Sequence, residues 1–342
     1  MINKFDFDDI LLQPAAVSTI TTRSMIDIEY PQTYLPIIAA PMDTVVSETN
    51  YFSFLNVGIN VCIPRGMNIS DRLVQLSEGR IWKSLSFQEF KDLVVNSKEK
   101  YTANYILIDM ANGHIEDLAI NITLAKKRYG NDLKIMAGNI ANPETYVTLS
   151  KAGADYVRIG IGNGNACLTT QQTAIGYPLA SLIVECYKLK IDNKLESKIV
   201  ADGGMKKYSD IIKALALGAD YVMVGSLLNK CLESAGTAYF KGFKISSSIA
   251  MFLYKRGFKL KKKFRGMSTK EVQKDWGKTK LTTSEGIIAQ RYVETDVKNW
   301  TENFKDYIKS SMSYCNARNL SEFIGKAKWN YITTASLERF KK

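Results

Sequence analysis

Lys151-Ala-Gly-Ala-Asp-Tyr-Val-Arg-Ile-Gly160 and Ala216-Leu-Gly-Ala-Asp-Tyr-Val-Met-Val-Gly225 are one chain join written twice. In each, a glycine ends a helical pattern, Ala-Asp turns the chain, and a short β-branched run closes on a second glycine. Similar runs are Pro36–Met42, Val57–Ile63, Tyr105–Asp109, Lys134–Gly138 and Lys198–Asp202. Apolar runs of this length suit strands buried on both faces of a parallel sheet. Helical patterns at Ile115–Arg128, Pro143–Lys151 and Tyr208–Leu217 lie between several of them, which implies βαβ units. A doubly wound open sheet would also give such joins. However, no Gly-x-Gly-x-x-Gly follows the first run, and the glycine-rich loops come late. The expected fold is therefore α/β, a (β/α)8 TIM barrel forming one catalytic domain over 1–342.

Composition removes whole classes of function. The chain is 342 residues long and 46% hydrophobic, ordinary values for a globular protein with a full core. Five scattered cysteines (Cys62, Cys167, Cys186, Cys231 and Cys315) include no Cys-x-x-Cys pair, so neither a disulfide framework nor a zinc site follows. His114 is the one histidine, which excludes a His-rich metal site and makes a His-based triad untenable. No apolar run nears the roughly 18 residues of a bilayer span. The acidic start, Phe5-Asp-Phe-Asp-Asp9, is unlike a secretory leader, so a cytoplasmic protein with no membrane partner is expected. The net charge of +12 fits either a nucleic acid or an anionic small substrate. Its densest run, Tyr254–Gly266, reads most simply as a solvated loop.

In barrels, phosphates often bind where the loops after the last two strands meet a helix N-terminus. Those positions here are Ala201-Asp-Gly-Gly204 and Val224-Gly-Ser226, whose glycines let the backbone approach an anion closely. After about residue 262 the strand–helix alternation stops, and 262–297 reads as a mobile flap over the barrel mouth. A helix from about Asp296 to Ser311 and a basic tail follow.

Chemistry concentrates in Ile159-Gly-Ile-Gly-Asn-Gly-Asn-Ala-Cys-Leu-Thr-Thr170, which leaves the C-terminal end of a strand. Glycines at 160, 162 and 164 permit the unusual dihedrals that expose a nucleophile, and hydroxyls follow Cys167 directly. A lone cysteine is more often a buried structural residue, so this loop alone leaves both readings open.

The loop resembles the catalytic loop of the IMP dehydrogenase/GMP reductase family, and further matches run in order along nearly the whole chain. They are Phe5–Pro14, Pro36–Val45, Ile108-Asp-Met-Ala-Asn-Gly113, Met136-Ala-Gly-Asn139, Ala201-Asp-Gly-Gly204 and Phe264-Arg-Gly-Met-Ser268. The resemblance implies a barrel, usually tetrameric, with a purine nucleotide (GMP or IMP) in its mouth and Cys167 attacking purine C2. It implies Asp202 on the ribose hydroxyls, and Gly203, Gly204, Gly225, Ser226 and Asn165 around the 5′-phosphate. Arg265, Gly266 and Met267 would complete the substrate side. Asp109, Ala111, Asn112, Ser268, Ser284 and Gly286 would face the cofactor, NADPH. In some members the loop carries a potassium ion on backbone carbonyls, which here would be those of Gly162, Gly164 and Cys167.

Both family reactions pass through a C2–sulfur adduct and differ in the group that then handles protons. Gln172–Pro178 and Ile183-Val-Glu-Cys186 look like the reductase, and the short stretch from Arg65 to Trp82 leaves no room for the dehydrogenase's inserted regulatory modules. The positions of the dehydrogenase's hydrolytic Arg-Tyr pair are Val272 and Gln273, and Arg291-Tyr292 falls on the wrong side of Glu285. By similarity to the reductase, Thr169 and Glu285 would be the proton-handling pair. Separately, no aromatic-and-basic stacking surface of a known RNA module is visible, so nucleic acid is not expected as a partner.

Other positions depart from the reductase pattern. Ala214–Gly218, Gly225–Leu228 and the proline of Ala40-Pro-Met-Asp43 look like the dehydrogenase. Arg65 stands where reductases carry a lysine, Asn165 replaces a serine, Phe264 a tyrosine, and Thr282 a cofactor-side arginine. The expectation is a divergent GMP reductase. The alternatives are IMP dehydrogenase, a related purine nucleotide oxidoreductase, or a barrel that binds nucleotides without turnover.

Overall fold

The computed structural model describes residues 4–29, 34–277, 279–281 and 283–340. Eight parallel strands close into a barrel in chain order. They are Ile37–Ala39, Asn60–Ile63, Ile81–Leu85, Tyr105–Asp109, Lys134–Ile140, Tyr156–Ile159, Lys198–Asp202 and Tyr221–Val224, the last pairing back onto the first. The third, Ile-Trp-Lys-Ser-Leu, escapes a search for apolar runs because Lys83 interrupts it. Lys83 is half-buried and its ammonium reaches Asp71 at 2.6 Å.

Alternation along each strand sorts the residues. Ile37 and Ala39 face the helix layer, whereas Ile38 packs inside the barrel with Cys62, Trp82, Leu107, Met136, Val200, Tyr221 and Met223. Trp82 meets Tyr156 edge to face and Tyr156 meets Tyr221 at a tilt there, filling the tube so that it is a core and not a pore. Outside lie helices Glu116–Tyr129, Pro143–Lys151, Leu179–Asp192 and Tyr208–Leu217. Pro143 opens the second of these, and the Asn142 side chain accepts from the Glu144 and Thr145 N–H groups. The chain ends meet where Ile10–Leu12 pairs antiparallel with Trp329–Tyr331. The late helix runs Val297–Tyr314 with Asp296 as its N-cap.

The stretch read as a solvated basic loop is corrected here. Lys261–Arg265 is the third strand in a four-stranded antiparallel sheet with Ala238–Phe240, Phe243–Ile245 and Ile288–Tyr292, and helix Lys270–Asp275 is carried between its last two strands. The strand's inward positions are Lys262 and Phe264, both buried, so a lysine occupies a core position and hides the alternation. The flap span 262–297 thus contains the rest of this strand, helix Lys270–Asp275 and strand Ile288–Tyr292.

The Lys262 ammonium donates to the Ser234 carbonyl. Burial pushes it down to about 8, with Glu233 and Cys231 opposing the shift, from an ordinary value of 10.5. Between those two values the unfolded chain holds more of this proton than the folded chain, so this site makes stability rise with pH across that window. Stability of the native chain minus that of Lys262→Met should be flat below pH 8 and climb toward pH 10.5 in urea unfolding. A difference that stays flat throughout would mean the ammonium is solvated.

Candidate active site

A cavity of about 540 Å³ opens at the C-terminal ends of the barrel strands, under the antiparallel flap sheet. The same alternation that fills the barrel with apolar side chains builds its floor. Two residues beyond Leu107, Tyr156 and Val200, on the same inward face, stand Asp109, Arg158 and Asp202. Asp109 pairs in register with Gly138, and Gly138 with Arg158, so no side chain intervenes between the two charges. Arg158 Nη1 donates to Asp109 Oδ1 at 2.7 Å and Arg158 Nε to Asp202 Oδ2 at 3.0 Å. Burial pulls the guanidinium down, but Asp202 and Asp109 outweigh it, so the net shift is upward and the group stays charged. Asn139 also donates to Asp202 Oδ2, at 2.8 Å, fixing that carboxylate from a second side. Beyond Asp109, Arg65 Nε donates to Oδ2 at 3.1 Å.

The cysteine loop crosses this floor. Cys167 N–H donates to the Gly164 carbonyl at 2.8 Å, curling the loop so that the sulfur lines the cavity. Cys167 Sγ lies 3.1 Å from Thr169 Oγ1, which in turn donates to Glu285 Oε2 at 2.6 Å. Thr169 follows by two residues, whereas Glu285 comes from the flap. Backbone pairing places it there. Leu168 N–H donates to the Glu285 carbonyl at 2.7 Å and Ile287 N–H to the Ala166 carbonyl at 3.0 Å, with Gly286 bridged to Cys167.

At the other end, Gly203 and Gly204 follow the seventh strand with φ of +91° and +76°, a region only glycine enters freely. A Cβ on Gly203 would lie 3.0 Å from the Gly164 nitrogen, so this turn also lets the cysteine loop come close. Asn165 Nδ2 donates to Ser226 Oγ at 2.6 Å and to the Met205 carbonyl at 3.2 Å, tying the cysteine loop to the turn after the eighth strand.

Most residues singled out from sequence line this one cavity. Cys167, Thr169, Glu285, Asp202, Gly203, Gly204, Gly225, Ser226, Asn165, Gly266, Met267, Asp109, Ala111, Ser268, Gly162 and Gly164 all do. Arg265, Asn112, Ser284 and Gly286 do not. Arg265 is turned to Asp43, Glu271 and Asp275 and rivets the flap strand to the loop after the first barrel strand. Asn112 accepts the His114 N–H through its side chain, Ser284 donates to the Gly286 carbonyl, and Gly286 serves the backbone bridge. Thr282 lies outside the described residues. Sequence reasoning missed Arg158, Asn139 and Trp276. An arginine inside an otherwise apolar buried strand was the available signal for the first, since such a charge demands partners.

Fold and site together define a (β/α)8-barrel protein with its cavity at the C-terminal strand ends and a cysteine loop across it. The chain belongs to the IMP dehydrogenase/GMP reductase family, whose domain model matches residues 4–341. It is 29% identical to GMP reductase 2 of Homo sapiens over 351 aligned residues, covering 96% of this chain and 94% of that protein. GMP reductase of Enterobacter sp. is 27% identical, with 93% and 92% covered. Inosine-5′-monophosphate dehydrogenase of Chlorobaculum parvum is 33% identical over 233 residues, 68% of this chain and 46% of that protein. Among the described residues, no helix is long and apolar enough to cross a membrane.

Proposed function

We propose that the chain is a GMP reductase, converting GMP and NADPH to IMP, ammonia and NADP+. The observation that carries this reading is the Cys167–Thr169–Glu285 chain, 3.1 and 2.6 Å per step. The Cys167 sulfur adds to purine C2 as its proton passes through Thr169 to Glu285, and that proton then returns to the exocyclic amino group, which leaves as ammonia. The C2–sulfur bond remains. When bound, NADPH would supply the hydride that C2 takes, and the carbon–sulfur bond would then break to restore the Cys167 thiolate as IMP departs.

No hydrolytic base competes at the flap positions where a dehydrogenase carries one. Val272 is buried, and Gln273 donates its amide to the Ser268 and Thr283 carbonyls at 3.4 and 3.5 Å. An amide cannot accept the proton of an attacking water as a base must.

The cavity suits both ligands. Asp202 Oδ2 takes the Arg158 and Asn139 bonds, which leaves the carboxylate's remaining acceptor capacity for ribose hydroxyls. The glycine turns at 203–204 and 225–226 would hold the phosphate through backbone N–H groups. The Asp109–Ala111 end, beside Trp276, would take the nicotinamide. A potassium ion would rest on the backbone carbonyls of Gly162, Gly164 and Cys167. The Gly164 carbonyl already takes the Cys167 N–H, which leaves it one lone pair for a cation. Assembly as a homotetramer and a cytoplasmic setting belong to the same reading.

Loss of NADPH absorbance that requires GMP, with IMP and ammonia appearing, tests the assignment. NADH formation from IMP and NAD would replace it with the dehydrogenase. Glu285→Gln should keep the hydrogen bond to Thr169 but remove the proton-carrying group. A fall in kcat of about 10²–10⁴-fold is expected, with the KM for GMP changed only a few-fold. An unchanged kcat would remove Glu285 from the chemistry.

A further inference from the structure

Arg65 does two things at once. Its Nε holds Asp109 at 3.1 Å, and its guanidinium carbon lies 4.2 Å from the centroid of the Trp276 ring. Asp109 belongs to the barrel floor, where Arg158 and Asp202 continue the row of alternating charges. Trp276 belongs to the flap. It closes helix Lys270–Asp275, its N–H donating to the Val272 carbonyl at 2.9 Å. One turn back, Gln273 ties that helix to the carbonyls of Ser268 and Thr283 on the two flap segments that flank the cavity. Arg65 thus joins the barrel to the flap at a second point, ten residues along the chain from Gly286 of the Cys167–Gly286 bridge.

We propose that Arg65 and Trp276 form a clasp that holds the flap helix down on the barrel rim and so keeps Glu285 beside Thr169. Arg65 and Trp276 are positioning residues in this assignment. The attraction is of the cation–π kind, and Arg suits it because a planar guanidinium stacks on the ring while its edge still donates to Asp109. Side-chain exposures of 25% for Arg65 and 14% for Asp109 place the pair at a partly desolvated rim, where such contacts are stronger than in water. Lysine would keep the charge but lose the flat face.

Hydrogen exchange of the flap helix amides reads the clasp directly, and steady-state kinetics read its consequence. The full chain is compared with Arg65→Lys, Arg65→Met, Trp276→Leu, Trp276→Phe and the Arg65→Met/Trp276→Leu double variant. Exchange across 270–277 should quicken roughly 5- to 30-fold in Arg65→Met and Trp276→Leu. Arg65→Lys should fall between these and the native chain, and Trp276→Phe, which keeps an aromatic face, should lie near the native rate. The double variant should be no faster than the faster single. Exchange in barrel strands 105–109 and 198–202 serves as the internal check on folding, and Trp276→Leu, altered only in the flap, carries the test if Arg65→Met disturbs them. The kinetic half rests on the reductase reading: kcat should fall several-fold with the KM for GMP little changed. Unchanged flap exchange in Trp276→Leu, or additive effects in the double variant, would overturn the clasp. Altered exchange together with no GMP turnover by the native chain would uphold the clasp and sink the reductase reading alone.

Discussion

Cys167→Ala should lose at least about 10³-fold in GMP-dependent NADPH oxidation while GMP still binds with an affinity within several-fold of the native chain. The expected contrast follows from where the contacts lie. Asp202, proposed to hold the ribose, and the glycine turns at 203–204 and 225–226 belong to the ends of other strands, so removing one sulfur leaves them in place. The adduct needs the sulfur itself. Calorimetry with GMP and a spectrophotometric assay on the same preparation measure the two halves. Activity within tenfold of native would eliminate the covalent route. The other thiols give no substitute. Cys62, Cys186, Cys231 and Cys315 do not line the cavity, and burial pushes each of these thiols up.

Arg158→Met should destabilise the fold by about 3–5 kcal/mol and weaken GMP binding together. Arg158 is 8% exposed and neutralises two carboxylates that the barrel floor brings within 3.0 Å of it. Removing it leaves Asp109 with Arg65 and Asp202 with Asn139 as side-chain partners among the described residues. Arg158→Lys should recover part of the loss, since an ammonium is a point charge and cannot bond both carboxylates through a planar fork. Urea unfolding and GMP titration of the two variants check this. A loss below about 1 kcal/mol for Arg158→Met would mean that the floor charges are solvated and that the row does not organise the site.

The sequence by itself determined the barrel and the identity of the chemical groups. Strand runs ending in Gly or Asp, helix joins repeated at 151–160 and 216–225, and the glycine-rich cysteine loop are short-range patterns, set by residues near one another in the chain. That is why helix Pro143–Lys151 and helix Tyr208–Leu217 have the bounds their patterns show. The third barrel strand was not legible because Lys83 breaks its apolar run. The flap strand Lys261–Arg265 was not legible because Lys262 takes a core position. Only the tertiary structure decided which charges meet. Asp109, Arg158 and Asp202 come from three strands, and their contact follows from the register around a closed barrel with Gly138 between two of them. Arg265 shows the same limit from the other side. Its neighbours in sequence line the cavity, but strand alternation turns its own side chain to Asp43, Glu271 and Asp275. Local sequence sets which groups a strand end offers. Register and closure, which depend on residues far apart in the chain, set which of them face one another.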